Sequence, residues 1–434
     1  MTEPVMEPAT GDDRARRADD SARRAVVAVW RIESARIVAT LTRFTGDFAL
    51  AEDLAQEALA DALVQWPAQG APRNGAAWLT AVAKRKAIDH WRRRERYDER
   101  LAAIAHDLER AEHEAADAVP WDPDAIDDDV LRLVLTACHP VLSPQARVAL
   151  TLRVVAGLET AEIARAFLVP VATIQQRIVR AKQALAEARV PFETPARAER
   201  AQRLGAVLGV VYLIFTEGHA ATAGDEWMRP DLAREAVRLA RVLAALQPEE
   251  PEVHALLALL ELTAARFPAR VGADGEPVLL TDQDRRRWDR AAIRRGRAAL
   301  RRAEGFGRGL GPYGLQAAIA ECHAVASDVA STDWARIVAA YDGLLQLSPS
   351  PVVALNRAVA VSMADGPAAA LAIVDALAGE RALRAGHLLP SVRGELLARL
   401  GRDAEAREAF ALAAERPQNA RERAVLLARA AAGR

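Results

Sequence analysis

Thr173, Gln175, Gln176, Arg177 and Arg180 fall within one short stretch, with Lys182 just beyond them. These side-chain types recognise nucleic acid. Gln and Arg pair bidentately with the edges of adenine and guanine, whereas Lys and Arg also meet phosphates, which fix position without reading sequence. Arg180 and Lys182, with Arg189 further on, suit the phosphate role. The same stretch carries Ile174, Ile178, Ala181 and Leu185 at i, i+4, i+7 and i+11, an apolar stripe along one face of a helix. The pattern predicts a helix that buries one side and offers the other.

That helix needs an element to hold it. Residues 160–166 predict a shorter helix before it, with Thr160 as N-cap and Ala164 small enough for a close helix–helix approach. Phe167, Leu168, Val169 and Pro170 form the turn. The turn carries no Gly, and Pro170 is suited to set the start of the second helix because its φ is already fixed near the helical value. A short helix, a turn and a longer basic helix make a helix-turn-helix, whose second helix can enter the major groove of DNA.

Two further constellations precede it. Asp53, Glu57 and Asp61 stand at i+4 spacing on a helix whose apolar face is Leu54, Ala58, Ala62 and Trp66, with Gln56 alongside. Like charges at that spacing cost an isolated helix about 0.2–0.5 kcal/mol per pair. The row is therefore expected to meet a basic partner, a solvated acidic face being the plain alternative. Then, between residues 84 and 100, eight Lys or Arg face four acids, a local charge of +4, with Trp78 and Trp91 framing the run. Basic residues interleaved with aromatic ones suit nucleic acid, separated strands included, because exposed bases stack on aromatic rings. Trp78 is expected to be largely core.

The rest of the chemistry is sparse. Cys138-His139 and Cys322-His323 lie 184 positions apart, far from the short local spacings that zinc sites use, and read as buried cysteines rather than metal ligands. Glu217 and His219 could form an acid/base pair, which a helix-to-helix turn explains equally well. No phosphate-cradling Gly loop, His-Glu-x-x-His or nucleophile elbow occurs. The chain is thus expected to be no enzyme, to have no catalytic residue, and to use no metal or cofactor.

Composition bounds the class. Across 434 residues, 51% are hydrophobic, Gly and Pro punctuate rather than pervade, and Ala is abundant, the profile of an all-α protein. The formal net charge of −1 means that any grip on DNA must come from local positive charge. Two cysteines suit a reducing compartment, and no apolar run reaches the ~18 residues of a membrane span, so a cytoplasmic location is expected, with no membrane partner.

Periodicity and breakers divide the chain into a disordered tail (1–22), a helical region (23–98), a linker (99–128), a second helical region holding the helix-turn-helix (129–190), and a long run of helix pairs (191–434). Between 101 and 129 ten acids face only Arg110, and Pro120 and Pro123 are expected to break any helix there. Pro191 and Pro195 mark a second joint. The turns around Gly366 and Gly401 lie 35 residues apart, close to the tetratricopeptide period, although the full repeat signature is absent. Degenerate helical-hairpin repeats are expected, an irregular helical bundle being the alternative.

The order of these parts resembles a bacterial RNA polymerase sigma factor of the extracytoplasmic-function group over residues 23–190. Residues 212–219, 311–319 and 351–360, and the turn at 167–170, are similar to the subgroup that carries a tetratricopeptide-like C-terminal extension. The resemblance implies a sigma region 2 helical bundle, a flexible acidic linker, a region 4 helix-turn-helix and a helical-repeat extension. Asp53, Leu54, Gln56, Glu57 and Asp61 would then dock core RNA polymerase at the β′ clamp, with the β subunit as a further contact. Asn74, Trp78, Lys84, Arg85, Asp89, Trp91 and Arg92 would engage the promoter −10 element, Asn74 as the candidate for capturing a flipped base. Thr173, Gln175, Gln176, Arg177, Arg180 and Lys182 would read or grip the −35 element. The acidic linker would follow a basic channel of the polymerase. The extension would regulate by intramolecular contact with the sigma module. The alternative is a polymerase-independent helix-turn-helix regulator with a helical-repeat sensor domain.

Overall fold

The structure is a computed structural model that describes the backbone of residues 11–95, 123–167, 169–193, 197–219, 228–272, 277–384, 386–416 and 420–432. Among these residues it has 19 α-helices and no strand. None of the helices described is long and apolar enough to cross a membrane. The chain separates into two compact units, Met1–Val210 and Val211–Arg434.

In the first unit, α1 (Gly11–Thr45), α2 (Phe48–Gln69) and α3 (Gly75–Glu95) pack on one another around Val38, Leu41, Leu54, Trp66 and Leu79. Helix α1 starts at Gly11, inside the stretch expected to be disordered. Ala and Arg favour helix there. The Asp47 carboxylate starts α2 by accepting from the backbone of Ala49 at 2.8 Å and Leu50 at 3.1 Å.

Helix α4 (Pro123–Ala137) begins inside the stretch expected to be linker. Pro123 opens this helix instead of breaking it, because a first-turn Pro removes an N–H that has no partner there. Asp129, the last of the ten acids, is fully buried and takes Arg132 at 2.8 Å and Arg43 of α1 at 3.1 Å. Most of the acidic linker, residues 96–122, lies outside the described residues. Helices α5 (Pro144–Val154), α6 (Thr160–Ala166) and α7 (Val171–Glu187) complete the unit.

The division between the units falls within α8 (Arg197–His219). The second unit continues through α9 (Pro230–Leu246), α10 (Pro251–Ala264), α11 (Arg290–Gly305), α12 (Pro312–Val325), α13 (Trp334–Leu347), α14 (Pro351–Ala364), α15 (Pro367–Ala376), α16 (Arg381–Arg384), α17 (Leu388–Arg399), α18 (Asp403–Ala414) and α19 (Ala420–Ala432). Neighbours in sequence are neighbours in space over most of this run, as in a helical-repeat stack. Pro opens five of these helices, at positions 230, 251, 312, 351 and 367. The turns at Gly366 and Gly401 fall where the 35-residue spacing put them.

Two buried carboxylates tie the stack: Glu261 holds Arg241 and Arg295, and Glu321 holds Arg297 and Arg336. Cys138 and Cys322 are both buried free thiols. Burial pushes the Cys138 thiol up to about 11.

Candidate nucleic-acid interface

The helix-turn-helix forms as its pattern predicts. Ile174, Ile178, Ala181 and Leu185 of α7 are buried against α5 and α6, along with Ile163 and Ala164. Pro170 is the residue before α7, with φ −57°. The cap of α6 differs by one position from expectation. Thr160 is already helical, Glu159 precedes it, and the Glu162 carboxylate accepts the Glu159 N–H at 2.8 Å.

Burying that stripe turns the residues expected to read DNA outward. Gln175, Gln176 and Arg180 are exposed, and Thr173 and Arg177 are half-buried. Neither Arg177 nor Arg180 has an ion pair among the described residues, so both guanidiniums keep their donors for a ligand.

Lys182 behaves differently. It is mostly buried and bonds Glu52 and, at 2.7 Å, Asp53, both on α2. Arg153 of α5 adds a second cation at 3.4 Å from the Glu52 carboxylate. Burial alone would lower the Lys182 ammonium, but the charge of Glu52 and the bonds to Asp53 and Glu52 hold it above its ordinary value. The phosphate-gripping role expected of Lys182 is therefore not open in this conformation: its donors are taken up within the chain.

The same contact joins the two helical regions of the first unit. Arg31 of α1 reaches Glu162 of α6 at 2.5 Å. Gly157, in the turn between α5 and α6, lies against α1, where a Cβ would sit 2.6 Å from Ser34 Oγ. Its φ of +69° is one that residues with a Cβ rarely adopt, so this turn demands Gly twice over.

The acidic row on α2 already has basic partners within the chain. Asp53 holds Lys182, while Lys86 of α3 lies 3.3 Å from Glu57 and 3.0 Å from Asp61. The bond to Asp61, with further help from Glu57, raises the Lys86 ammonium. The like-charge cost read from the spacing is thus offset locally, and the expectation that the row needs an outside partner loses that support. Asp53 and Glu57 still expose 66% and 60% of their side chains, enough to meet a second surface. Leu54 is buried in the core at 3% exposure and cannot face a partner. Gln56 is half-buried.

Helix α3 presents its basic run in two ways. Arg85 and Arg92 are exposed, Arg92 lying 3.9 Å from Asp89. Lys84 sits over the Phe44 ring at 5.4 Å, and Trp91 packs on the same ring at 5.3 Å. Trp78 is half-buried with its edge on Trp66, centroids 5.7 Å apart, in line with a largely core role. Gly75 lets α3 start beside that pair, since a Cβ there would meet the Trp66 ring at 2.7 Å. Asn74, expected to capture a base, instead caps α3, where its Oδ1 accepts the Ala77 N–H at 3.0 Å.

Glu52 does not stand out by its spacing, although it anchors the joint between the two helical regions. The available signal is position: Ala51, Ala55 and Ala58 share its side of α2, which makes a carboxylate among buried alanines. Glu217 bonds Arg229, and the His219 ring lies against Phe215 and Phe267.

Comparison with known proteins follows the same division. Residues 29–97 match the family described as Sigma-70 region 2, residues 132–185 match Sigma-70 region 4, and residues 203–304 match a family of unknown function, DUF6596. The chain is 46% identical over 387 residues to Uncharacterized protein R00370 of Rhizobium meliloti (strain 1021), covering 89% of this chain and 90% of that protein. It is 32% identical over 167 residues to Probable ECF RNA polymerase sigma factor SigI of Mycobacterium tuberculosis (strain ATCC 25618 / H37Rv), covering 38% of this chain and 56% of that protein. No solved structure matches it. With region 2 on α1–α3, region 4 on α4–α7 and helix pairs beyond, the chain belongs to the extracytoplasmic-function sigma factors that carry a C-terminal helical extension.

Proposed function

We propose that this sigma factor binds core RNA polymerase through the exposed acids of α2, engages the −10 element with α3, and reads the −35 element with α7. The observation that carries the reading is the outward face of α7: Gln175, Gln176 and Arg180 exposed, Arg177 beside them, and the opposite stripe buried. Arg85 and Arg92 supply exposed charge on α3 for the −10 strand. The work is non-covalent and belongs in the cytoplasm, where promoter DNA and core polymerase meet. The β′ clamp and the β subunit are the proposed docking surfaces.

The Lys182 clasp adds a condition. Asp53 can meet the polymerase only with the part of its side chain left exposed beside Lys182, and Lys182 cannot meet a phosphate while Glu52 and Asp53 hold it. A phosphate contact by Lys182 then requires the two regions to part, with polymerase competing for α2 and DNA for α7.

Run-off transcription with core polymerase on a set of −35 variants tests the reading. Arg177→Ala is expected to cost about 1–3 kcal/mol on the preferred −35 sequence, roughly 5- to 150-fold, and to flatten discrimination at one base position. A uniform loss across all −35 sequences would make Arg177 a phosphate contact and overturn its reading role. For the extension, the proposal is intramolecular contact with the sigma module that alters its output. Residues 1–195 are expected to differ from the full chain in run-off yield or promoter choice; identical behaviour would sink that part.

A further inference from the structure

The extension treats its arginines in two ways. Around Glu261 and Glu321 each guanidinium has a carboxylate. Around Trp288 this is not so. Arg266 and Arg285 lie over the Trp288 ring at 5.8 and 4.9 Å. Arg266 gives one long bond, 3.4 Å, to the neutral Gln283 amide oxygen. Arg285, itself buried, donates to the backbone oxygens of His323 at 2.7 Å and Ala326 at 2.8 Å. Neither forms an ion pair among the described residues. Asp328 is the carboxylate whose charge reaches Arg285, and its own oxygens are taken by the backbone and side chain of Ser331 and by Ser327. A second buried arginine, Arg270, donates to the His219 carbonyl at 2.6 Å.

Three buried polar atoms around these cations lack a hydrogen-bond partner: His219 Nε2, His323 Nδ1 and Trp288 Nε1. An indole N–H only donates, so the Trp288 nitrogen specifically lacks an acceptor. Positive charge crowds the same place. Burial, then Arg270 and Arg266, push the His219 imidazole down to about 2. Burial, then Arg266 and Arg285, push His323 down to about 4. Burial, then Arg285, lower Arg266 to about 10. Buried charge without a counter-charge is costly, and buried donors without acceptors add to the cost. A single oxyanion answers both deficits, since guanidinium forks match carboxylate and phosphate.

We propose that Arg266, Arg285 and Trp288, flanked by His219, Arg270 and His323, form an anion-binding site in the extension that takes the carboxylate or phosphate group of a small molecule. The guanidiniums supply charge and paired donors, and Trp288 Nε1–H and the imidazole nitrogens complete the oxygen shell. The burial of Arg270, Arg285 and Trp288 favours a compact ligand over a nucleic-acid backbone. The site lies outside the polymerase- and promoter-reading helices and does not depend on their assignment.

Thermal unfolding of the full chain tests it, with inorganic phosphate and succinate titrated separately against sodium chloride at matched ionic strength. Ligand that binds only the folded state raises the midpoint as its concentration rises. A rise with phosphate alone assigns a phosphate-bearing ligand, a rise with succinate alone a carboxylate, and a rise with both a general oxyanion site. Arg266→Gln and His219→Phe are each expected to weaken the response at least tenfold. Without ligand, Arg266→Gln is expected to melt at or above the wild-type midpoint, because it removes a half-buried charge that no carboxylate pairs; a structural cation would do the reverse. His219→Phe keeps an aromatic ring between Phe215 and Phe267 and guards against misfolding. The proposal is overturned if neither anion acts beyond salt, if both variants respond like wild type, or if Arg266→Gln melts well below it.

Discussion

A chain carrying Asp53→Lys, Glu57→Lys and Asp61→Lys together is expected not to co-elute with core RNA polymerase. Reversal turns three attractive contacts with a basic docking surface into like-charge contacts. Such juxtapositions cost several kcal/mol, so a loss of affinity of roughly a thousandfold or more is expected. The fold loses far less. Asp53 and Glu57 are well exposed, and exposed ion pairs contribute about 0–1 kcal/mol each. Circular dichroism and a thermal melt should therefore show a folded chain. The neutral set Asp53→Asn, Glu57→Gln and Asp61→Asn should fall between reversed and wild-type chains. Retained co-elution of the reversed chain would remove α2 as the docking helix, and failure of the wild-type chain to co-elute would remove the polymerase reading altogether.

Glu52→Ala is expected to destabilise the first unit by about 3–5 kcal/mol in denaturant unfolding. Glu52 is 3% exposed and lies between Lys182 and Arg153, themselves mostly buried. Removing the carboxylate leaves Arg153 without its carboxylate and Lys182 with Asp53 alone, which costs more than the net worth of the pairs. A double-mutant cycle separates these effects. Lys182→Met in the Glu52→Ala background should recover part of the loss, giving a coupling energy of about 0.5–3 kcal/mol. A loss below about 1 kcal/mol would mean that the clasp is solvated and interchangeable with a surface pair.

The pH dependence of the clasp follows from Lys182. Its folded pKa is raised above the ordinary lysine value, so its stabilisation is complete below that value. It is lost as pH rises through the higher folded value. Between neutral pH and the ordinary lysine range the clasp should therefore hold, and competition from polymerase or DNA, not pH, should open it.

Local chemistry was legible without the fold. The stripe of Ile174, Ile178, Ala181 and Leu185 specified which side of α7 is buried, and so which residues face outward. The 35-residue spacing of the Gly366 and Gly401 turns likewise anticipated the helix pairs of the extension. Such features lie within a few turns of one chain segment, where periodicity dictates neighbours. Expectations failed where a residue's partner was distant or its local role had a rival. Asn74 became a helix cap, Leu54 became core, and Asp129 left an acidic run to anchor α1.

By itself, the sequence determined which face of α7 is exposed, the acidic and basic helices before it, and their order. Tertiary structure alone decided that Lys182 meets Glu52 across 130 positions, and that Arg266, Arg285 and Trp288 gather where two histidines and an indole lack partners. The reason is physical. Helix faces repeat every 3.6 residues and are written locally, whereas pairing between distant charges depends on which faces the packed helices bring together.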